Sequence, residues 1–387
     1  MEGARVRMRS NGWGRVVLAA FCAGAAACSP GVRGGAGPSP AKASEAGIPV
    51  LTWHGFAERL PPRGNLTATY AEFERMMAFL ARHRFRSVFP DQVRPGDDRR
   101  RMVVLTFDDG TVEQLRAAEI MERYGFRGVF FVIPDRAGRG DARYLDSAAV
   151  TRLARAGHRV APHGFAHRSM AIDTGEVEAT LRWSAATVAR QAAQPPMGAD
   201  FAFPFGHYTS GVARRVGGAF RYLHTVDPGY WDGASPLLPR LLLMSDVDRR
   251  VYRDYLLGGG RGGPVLRPLT PPGEVADSVA FLAPCGFDPR PVHVFAVTAD
   301  ADDRSYVTHP AGGFIRVRGD TAWLDLAGYM RRTYTPGRAV ISYALVVRDG
   351  RRVRYLTPGL LHWLRDPATV PPPGRAAPPP GSSRTAP

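Results

Sequence analysis

The feature that most constrains this chain is an apolar run, residues 103–107, that ends in two adjacent aspartates and a glycine. The run has the length and the apolar character of a buried strand, and Asp108 and Asp109 follow it directly. Adjacent side chains at a strand end point to opposite sides, and two ionised carboxylates repel unless a cation or a proton separates their roles. An isolated Asp-Asp-Gly is usually a turn, but at the end of a buried strand it indicates a site.

Two histidines four residues apart follow a second short strand-like run. They are His163 and His167, in the sequence HGFAH, and the run before them covers residues 158–161. One aspartate and two histidines form a facial ligand set that leaves coordination positions open for water and substrate, as in catalytic zinc and iron sites. The sequence therefore predicts a divalent metal, first of all Zn²⁺, with Co²⁺, Ni²⁺ or Fe²⁺ as alternatives. The second aspartate is then available for proton transfer.

Three motifs in order give the chain a family resemblance. TFDDG at 106–110, HGFAH at 163–167 and FPFG at 203–206 resemble the first three motifs of the NodB-like polysaccharide deacetylases. The resemblance covers about residues 48–240 and implies an α/β fold with a distorted, incomplete (β/α) barrel. Strand and helix patterns that alternate along these residues also predict a barrel of parallel strands, with functional residues at the carboxyl ends of the strands.

The resemblance also implies a role for each residue of the three motifs. Asp109, His163 and His167 would hold the metal, which polarises an amide carbonyl and lowers the pKa of water. Asp108 would be the general base. A backbone N–H of the turn at 204–206, assigned to Phe205, would help to stabilise the oxyanion.

The third motif departs from the commonest family pattern at Ala202, where an arginine usually orients the catalytic carboxylate. The form FAFPFG at 201–206 is instead similar to the branch that deacetylates poly-N-acetylglucosamine of biofilm matrices. In that branch the motif order is permuted, and a histidine at an N-terminal strand end is the acid. His54, after the run 48–53, fits this role, because an imidazole can protonate a leaving amine near neutral pH.

Two further stretches offer alternatives for the site. His224, in YLH at 222–224, is the alternative acid, since the common motif order places a similar element after the others. Tyr230 and Trp231 follow in a loop, where either ring is a candidate for stacking on a sugar; the alternative is packing at the barrel mouth. LPR at 238–240 also resembles the permuted branch, but the sequence indicates no role for it.

The character of the chain changes near residue 257. We predict a deacetylase domain at 47–257 and a small all-β, sandwich-like domain at 258–365, because glycines and prolines at 258–272 precede several short strand patterns with turn signals at 318–320 and 349–350. This second domain is a candidate for glycan binding, with its aromatic residues as core packing the alternative.

The two ends of the chain have the composition of non-globular segments. Residues 1–28 predict an export signal of the lipoprotein type, in which small residues precede Cys28, the candidate for lipidation; the alternative is simple cleavage near the same alanines. A flexible linker at 29–46 and a disordered, proline-rich tail at 366–387 are expected. These features predict a protein exported to the cell envelope, anchored to a membrane by lipid or otherwise secreted.

The net charge of +16 does not indicate a nucleic acid partner, because the excess arginines are scattered instead of clustered with aromatic residues. The expected partner is a polysaccharide that contains N-acetylglucosamine, and the expected activity is its metal-dependent N-deacetylation. Alternatives are a deacetylase of peptidoglycan or chitin oligomers, and an inactive glycan-binding barrel of a secretion complex. The sequence does not indicate an oligomeric state.

Overall fold

A computed structural model describes residues 47–61, 66–137, 139–190, 199–245, 249–258, 265–299, 304–334, 339–349 and 352–370. The expected signal with Cys28, the linker to residue 46 and residues 371–387 of the expected tail lie outside these ranges. None of the helices in this part of the chain has both the length and the apolar character needed to cross a bilayer.

Residues 47–258 alternate between strands and helices, as the sequence predicts. The strands are β1 (Val50–Trp53), β2 (Gly55–Ala57), β3 (Thr67–Thr69), β4 (Arg86–Ser87), β5 (Met102–Phe107), β6 (Val129–Val132), β7 (Arg159–Pro162), β8 (Asp200–Ala202), β9 (Tyr222–His224), β10 (Leu237–Leu238) and β11 (Leu241–Leu242). The helices are α1 (Tyr70–Arg82), α2 (Gln114–Arg123), α3 (Pro134–Ala137), α4 (Ser147–Arg155), α5 (Thr174–Arg190), α6 (Ser210–Gly217) and α7 (Arg249–Gly258).

Apart from β2 and β3, which pair with each other, these strands form two parallel sheets that a single stretch of chain connects. One sheet has the order β11-β1-β5-β6-β7 with β4 also on β5, and the other has the order β10-β9-β8. Residues 237–242 join them, because β10 pairs with β9 and β11 pairs with β1. Within the described residues no ladder links β7 to β8. The α/β architecture is confirmed, and the carboxyl ends of the parallel strands lie at a common edge.

Helix α1 illustrates how the local sequence determines a secondary-structure element in residues 47–258. The Thr69 hydroxyl accepts a hydrogen bond from the Glu72 backbone N–H at 3.2 Å, which caps the helix start. Phe73, Met77 and Leu80 recur at helical spacing and are buried. The Thr69 half of the expected capping box and the apolar helix face are therefore confirmed, and the methionines pack in the core.

The core beneath the strand ends is aromatic. Trp53 at the end of β1 stacks on Phe107 at the end of β5, with 5.5 Å between ring centroids, and Phe107 stacks on Phe130 of β6 at 4.5 Å. Phe107 is fully buried. Truncating a buried phenylalanine costs about 3–5 kcal/mol, so these rings hold the ends of three neighbouring strands firmly in place.

Residues 265–370, the C-terminal β region, form two antiparallel sheets. Their orders are β12-β13-β17-β16 and β15-β14-β18-β19, with β20 also on β18. The turn at Gly319, where the backbone has a positive φ of 63°, joins two paired strands as predicted. The elements are β12 (Arg267–Pro268), β13 (Ser278–Leu282), β14 (Val292–Ala299), β15 (Arg304–Pro310), β16 (Ile315–Arg318), β17 (Thr321–Asp325), α8 (Leu326–Thr333), β18 (Val340–Asp349), β19 (Arg352–Tyr355) and β20 (Leu360–Trp363).

Each side of the predicted boundary at 257/258 has a buried core of its own, and a third apolar cluster joins the two sides. Leu361 and Trp363 of β20 share one apolar cluster with Phe201 and Phe203, which flank the third motif. The Tyr306 hydroxyl accepts a hydrogen bond from the β11 backbone at 2.6 Å. The described residues between 47 and 370 belong to one compact unit. The C-terminal β region packs against the first part of the chain in addition to burying a core of its own.

Ordered structure also extends into the expected tail. Residues 367–369 form a 3₁₀ turn in which the Asp366 carboxylate accepts a hydrogen bond from the Ala368 N–H at 2.9 Å. Pro367 is buried. The first five residues of the stretch predicted to be disordered are therefore part of the fold.

Candidate active site and metal centre

The predicted functional residues follow parallel strands, so the sheet itself gathers them. β1 and β5 pair in register, with Trp53 opposite Phe107, and His54 and Asp108 are the next residues on each strand. His163 follows β7, two strands further along the same sheet. Residues separated by more than fifty positions thus meet at one edge because their strands end there.

Three of these side chains form a compact ligand set. Asp109, His163 and His167 each offer one ligand atom, and these atoms lie within 4.8 Å of one another. Asp109 Oδ1 is 3.4 Å from His167 Nε2 and 3.7 Å from His163 Nε2. One carboxylate oxygen and two imidazole nitrogens around a common point suit a divalent metal such as zinc.

The chemistry of His163 supports the fit to a metal. Its Nδ1 lies 3.0 Å from the Ala202 carbonyl oxygen, so Nδ1 carries the proton and the Nε2 lone pair faces the two other ligands. Burial is the main cause that lowers the pKa of His163 to about 4. The imidazole is therefore neutral at pH 7, which is the form that binds a metal.

The loop between the two histidines is shaped by a residue that the sequence did not indicate. The buried carboxylate of Glu176, on α5, accepts hydrogen bonds from the N–H groups of Phe165 at 2.6 Å and Ala166 at 2.8 Å. Gly164 has a positive φ of 67°, and a Cβ there would lie 2.6 Å from Glu176 Oε1. Only glycine fits this position, so Glu176 and Gly164 together set the spacing of the two ligands.

Asp108 is held by a fully buried arginine. The guanidinium of Arg240 donates to Asp108 Oδ1 at 2.6 Å and to Oδ2 at 2.7 Å, and its Nε donates to the Thr225 carbonyl at 2.7 Å. Burial raises the pKa of Asp108, but Arg240, His163 and His54 together outweigh it and hold that pKa well below the usual range. The carboxylate is therefore ionised and fixed in orientation, as a general base requires.

Arg240 is the functional residue that sequence reasoning missed. It lies between β10 and β11, in the stretch that joins the two parallel sheets. The arginine absent at Ala202 is thus replaced by a guanidinium from a different strand. The only signal in the sequence was LPR at 238–240, whose partner at position 108 cannot be inferred from spacing.

His54 lies on the open side of Asp108. Its Nε2 is 3.8 Å from Asp108 Oδ2, and 14% of its side chain is exposed. Gln114 ties the two strand ends together, because its Nε2 donates to the His54 carbonyl at 2.9 Å and to the Asp108 carbonyl at 2.6 Å. The predicted acid is therefore placed beside the predicted base, and part of its surface is open to solvent.

The alternative acid, His224, has a different environment. Its side chain is fully buried, with Nε2 at 2.8 Å from Asp200 Oδ1 and the ring packed against Phe131 at 4.8 Å between centroids. Burial lowers the pKa of His224. This residue occupies a core position with a carboxylate partner, which is unsuitable for an acid that must reach a substrate.

The two candidate sugar-stacking residues, Tyr230 and Trp231, both make packing contacts. Trp231 is buried, and its Nε1 donates to the Ser235 carbonyl at 2.8 Å. Backbone hydrogen bonds with Ile48 draw this loop against the start of β1. The Tyr230 ring stacks on Tyr255 at 4.3 Å, and its hydroxyl donates to the Tyr255 carbonyl at 2.7 Å. Burial favours the packing alternative for Trp231, whereas Tyr230 is half-buried and its contact with a sugar stays a prediction.

The third motif forms a strained turn, residues 203–206, which we call the oxyanion turn. Phe205 has a φ of 61° and a ψ of 0°, in the left-handed region, and Gly206 follows with a φ of 71°. A Cβ at Gly206 would lie 2.1 Å from Val226 Cγ2. A non-glycine residue in this region costs about 1–3 kcal/mol and persists only where its surroundings enforce it. The Phe205 ring lies 4.6 Å from the His167 ring, so the turn adjoins the ligand set.

Comparisons with known proteins found one family match and several similar solved structures. Residues 96–218 match the family model described as polysaccharide deacetylase. No curated protein matches the chain. Matching solved structures include polysaccharide deacetylases from Bacillus anthracis (16% identity, 54% of this chain, 69% of that chain, TM-score 0.49) and Bacillus cereus (18%, 54%, 69%, 0.48). The deacetylase PplD of Streptococcus pyogenes, solved with acetate, also matches (16%, 55%, 99%, 0.49).

The stretch that matches the family model contains the three predicted metal ligands, Asp108 and the oxyanion turn. His54 and Arg240 lie outside it: His54 directly follows β1, and Arg240 lies between β10 and β11. Residues 96–218 of this chain are therefore similar to the polysaccharide deacetylase family, in agreement with the NodB-like resemblance of the three motifs.

Proposed function

We propose that this protein is a metal-dependent N-deacetylase that removes acetyl groups from N-acetylglucosamine units of an extracellular or envelope polysaccharide, with poly-N-acetylglucosamine as the first candidate. One observation carries the proposal: a buried, ionised Asp108 lies within 3.8 Å of His163, a member of the Asp-His-His ligand set. A carboxylate base next to a cation site is what hydrolysis of an unactivated amide requires.

Asp109, His163 and His167 would hold the metal. When bound, a divalent metal there supplies Lewis acidity, which polarises the amide carbonyl and makes water more acidic. Asp108 accepts the proton of the attacking water, and Arg240 keeps the carboxylate ionised and fixed in orientation until that transfer. The resulting protonated Asp108 remains in its bidentate contact, so its orientation does not change.

His54 and the oxyanion turn complete the reaction. His54, whose Nε2 lies 3.8 Å from Asp108 Oδ2, is the acid that donates a proton to the nitrogen of the leaving glucosamine. The Phe205 N–H donates to the carbonyl oxygen as negative charge develops on it, which favours the transition state over the ground state.

The choice of polymer rests on the form of the motifs. Three features resemble the permuted poly-N-acetylglucosamine branch: the form FAFPFG at 201–206, the N-terminal position of His54 and the sequence LPR at 238–240. The contact between Arg240 and Asp108 gives the third of these a chemical role. The strand path, open between β7 and β8, supports the incomplete barrel, and the two antiparallel sheets support the sandwich-like form of the C-terminal β region.

We also propose that the protein is exported and anchored to a membrane through a lipid on Cys28. The composition of residues 1–28 supports this placement, which suits an enzyme whose substrate is an envelope or matrix polymer.

We expect the purified protein to release acetate from N-acetylglucosamine oligomers and to lose this activity when a chelator removes the metal. Zinc, cobalt or nickel should restore it, since the ligand set binds each of these ions. The measurement is enzymatic quantification of acetate, together with the metal content per chain. A metal-free protein that binds glycan and releases no acetate would contradict the proposal and favour the inactive, glycan-binding alternative.

A panel of substrates tests which polymer is used. It consists of β-1,6-linked N-acetylglucosamine oligomers, β-1,4-linked chitin oligomers and peptidoglycan at matched concentrations of acetyl groups. The highest kcat/KM is expected for the β-1,6-linked oligomers. A clear preference for chitin oligomers or peptidoglycan would keep the deacetylase and overturn the choice of polymer.

Replacing His54 by alanine should lower kcat by about 10²–10⁴-fold, the usual contribution of one positioned acid or base. Metal content should not change, because His54 is outside the ligand set. The comparison is His224→Asn, which removes the alternative acid; it should retain kcat in the folded fraction, although its loss leaves Asp200 buried without this partner. The opposite pattern, with His224→Asn inactive and His54→Ala active, would reverse the assignment.

A further inference from the structure

Trp363 of β20, in the C-terminal β region, is fully buried against the two residues that follow the oxyanion turn. Its indole Nε1 donates a hydrogen bond to the Tyr208 carbonyl at 2.8 Å. Its ring meets the His207 ring edge to face, with 5.5 Å between centroids. His207 and Tyr208 are the two residues that directly follow the turn. The second part of the chain therefore packs against the segment whose N–H is assigned to the oxyanion.

The contacts continue from Trp363 to the metal ligands. The His207 ring lies 5.8 Å from the Phe205 ring, which lies 4.6 Å from the His167 ring. His207 Nδ1 is also 3.2 Å from the Ser169 hydroxyl, which holds the middle of this row in place. Trp363, His207, Phe205 and His167 thus form a continuous row of rings, from the C-terminal β region to the ligand set.

The backbone of Trp363 is held firmly, so its indole can act as a rigid support. Its backbone N–H donates to the Glu274 carbonyl at 2.9 Å, and its carbonyl accepts from the Ala276 N–H at 2.9 Å. On its other side it pairs with Val340 of β18. Backbone bonds on both sides fix the strand, and therefore the direction of the indole.

The oxyanion turn needs such a support because its backbone is strained. Phe205 and Gly206 have consecutive positive φ angles of 61° and 71°. An unsupported segment would relax toward a lower-energy conformation, and the Phe205 N–H would then leave the direction that the oxyanion requires. On the inner side the turn meets Val226. On the outer side, Trp363 supports the residues that follow it.

We propose that Trp363 is a positioning residue for deacetylation, and that the C-terminal β region completes the active site by fixing the oxyanion turn. The inference rests on the proposed function and deepens it. It gives this region a task inside the catalytic centre, distinct from that of a separable glycan-binding module.

The test is Trp363→Phe, which keeps an aromatic ring and removes the N–H donor to Tyr208. We expect kcat to fall about tenfold or more, since complete loss of an oxyanion donor costs about 10²–10³-fold, while KM changes less than about twofold. Affinity for an oligomer that carries a phosphonamidate in place of the acetamide, a mimic of the tetrahedral state, should fall by the same factor. Affinity for the deacetylated oligomer should not change, because only the transition state uses the turn.

Trp323→Phe is the matched control, the same substitution on β17 at a residue that is 38% exposed. It should behave as wild type in every assay. If Trp363→Phe does not fold, His207→Asn interrupts the ring row in its middle, at a partly exposed position, and should give the same selective loss of kcat.

Three results would overturn the inference. A lower Tm for Trp363→Phe with unchanged kcat would make Trp363 a purely structural residue. Equal losses of affinity for the phosphonamidate and for the deacetylated oligomer would indicate substrate binding instead of positioning. A wild-type protein that releases no acetate would refute the proposed function itself, and with it this inference, so the two failures are distinguishable.

Discussion

Asparagine in place of Asp108 is expected to lower kcat by about 10²–10⁴-fold while the protein still binds one metal per chain. The amide is nearly isosteric with the carboxylate but cannot accept the proton of water at neutral pH. Metal binding should survive because Asp108 is outside the ligand set formed by Asp109, His163 and His167. The measurements are acetate release and metal content after dialysis against a weak chelator.

The matched substitution is Asp109→Asn, one residue further along the chain. It removes the only carboxylate of the ligand set, so the metal content should fall together with activity. Excess zinc should restore part of the activity of Asp109→Asn and none of that of Asp108→Asn. If both variants lose metal to the same degree, the roles of the two aspartates are assigned incorrectly.

The second large effect concerns Arg240. Replacement by methionine should destabilise the protein by about 3–5 kcal/mol, because Asp108 would remain as a buried carboxylate without its cation. Activity should fall even in the folded fraction, since the base loses the two bonds, of 2.6 and 2.7 Å, that orient it. Urea denaturation and kcat of the folded protein measure the two effects separately.

A double-substitution cycle isolates this ion pair. Asp108→Asn alone should also destabilise the protein, because it leaves the Arg240 guanidinium buried without its anion. Asp108→Asn combined with Arg240→Met removes both charges. The double variant should therefore lose less free energy of unfolding than the two single variants lose in sum. Additive losses in the cycle would mean that the pair is not energetically coupled, which contradicts the role assigned to Arg240.

Local sequence was sufficient for those parts of the site that lie close together in the chain. Asp108 and Asp109 are neighbours, and His163 and His167 are one loop apart, so strand endings and short motifs identified them. The capped helix α1 was predictable for the same reason, since its cap and its buried face are set within a few residues. Such signals do not depend on where distant strands pair.

Tertiary structure was needed wherever a partner comes from a distant part of the chain. Arg240 is 132 residues away from Asp108, and no local pattern relates them. Trp231 and Tyr230 have the composition of a sugar platform, but a backbone bridge to Ile48 draws their loop into the core. The C-terminal β region has its own strand pattern, yet Trp363 packs beneath the oxyanion turn.

The sequence by itself determined the alternation of strands and helices and indicated the candidate ligands and the candidate base, because each depends on side-chain chemistry and short-range periodicity. Only the tertiary structure decided which arginine orients Asp108, which histidine lies beside it and how the second part of the chain supports the site. Those decisions depend on which strands share an edge and which apolar faces are buried together, and both are properties of the packed chain as a whole.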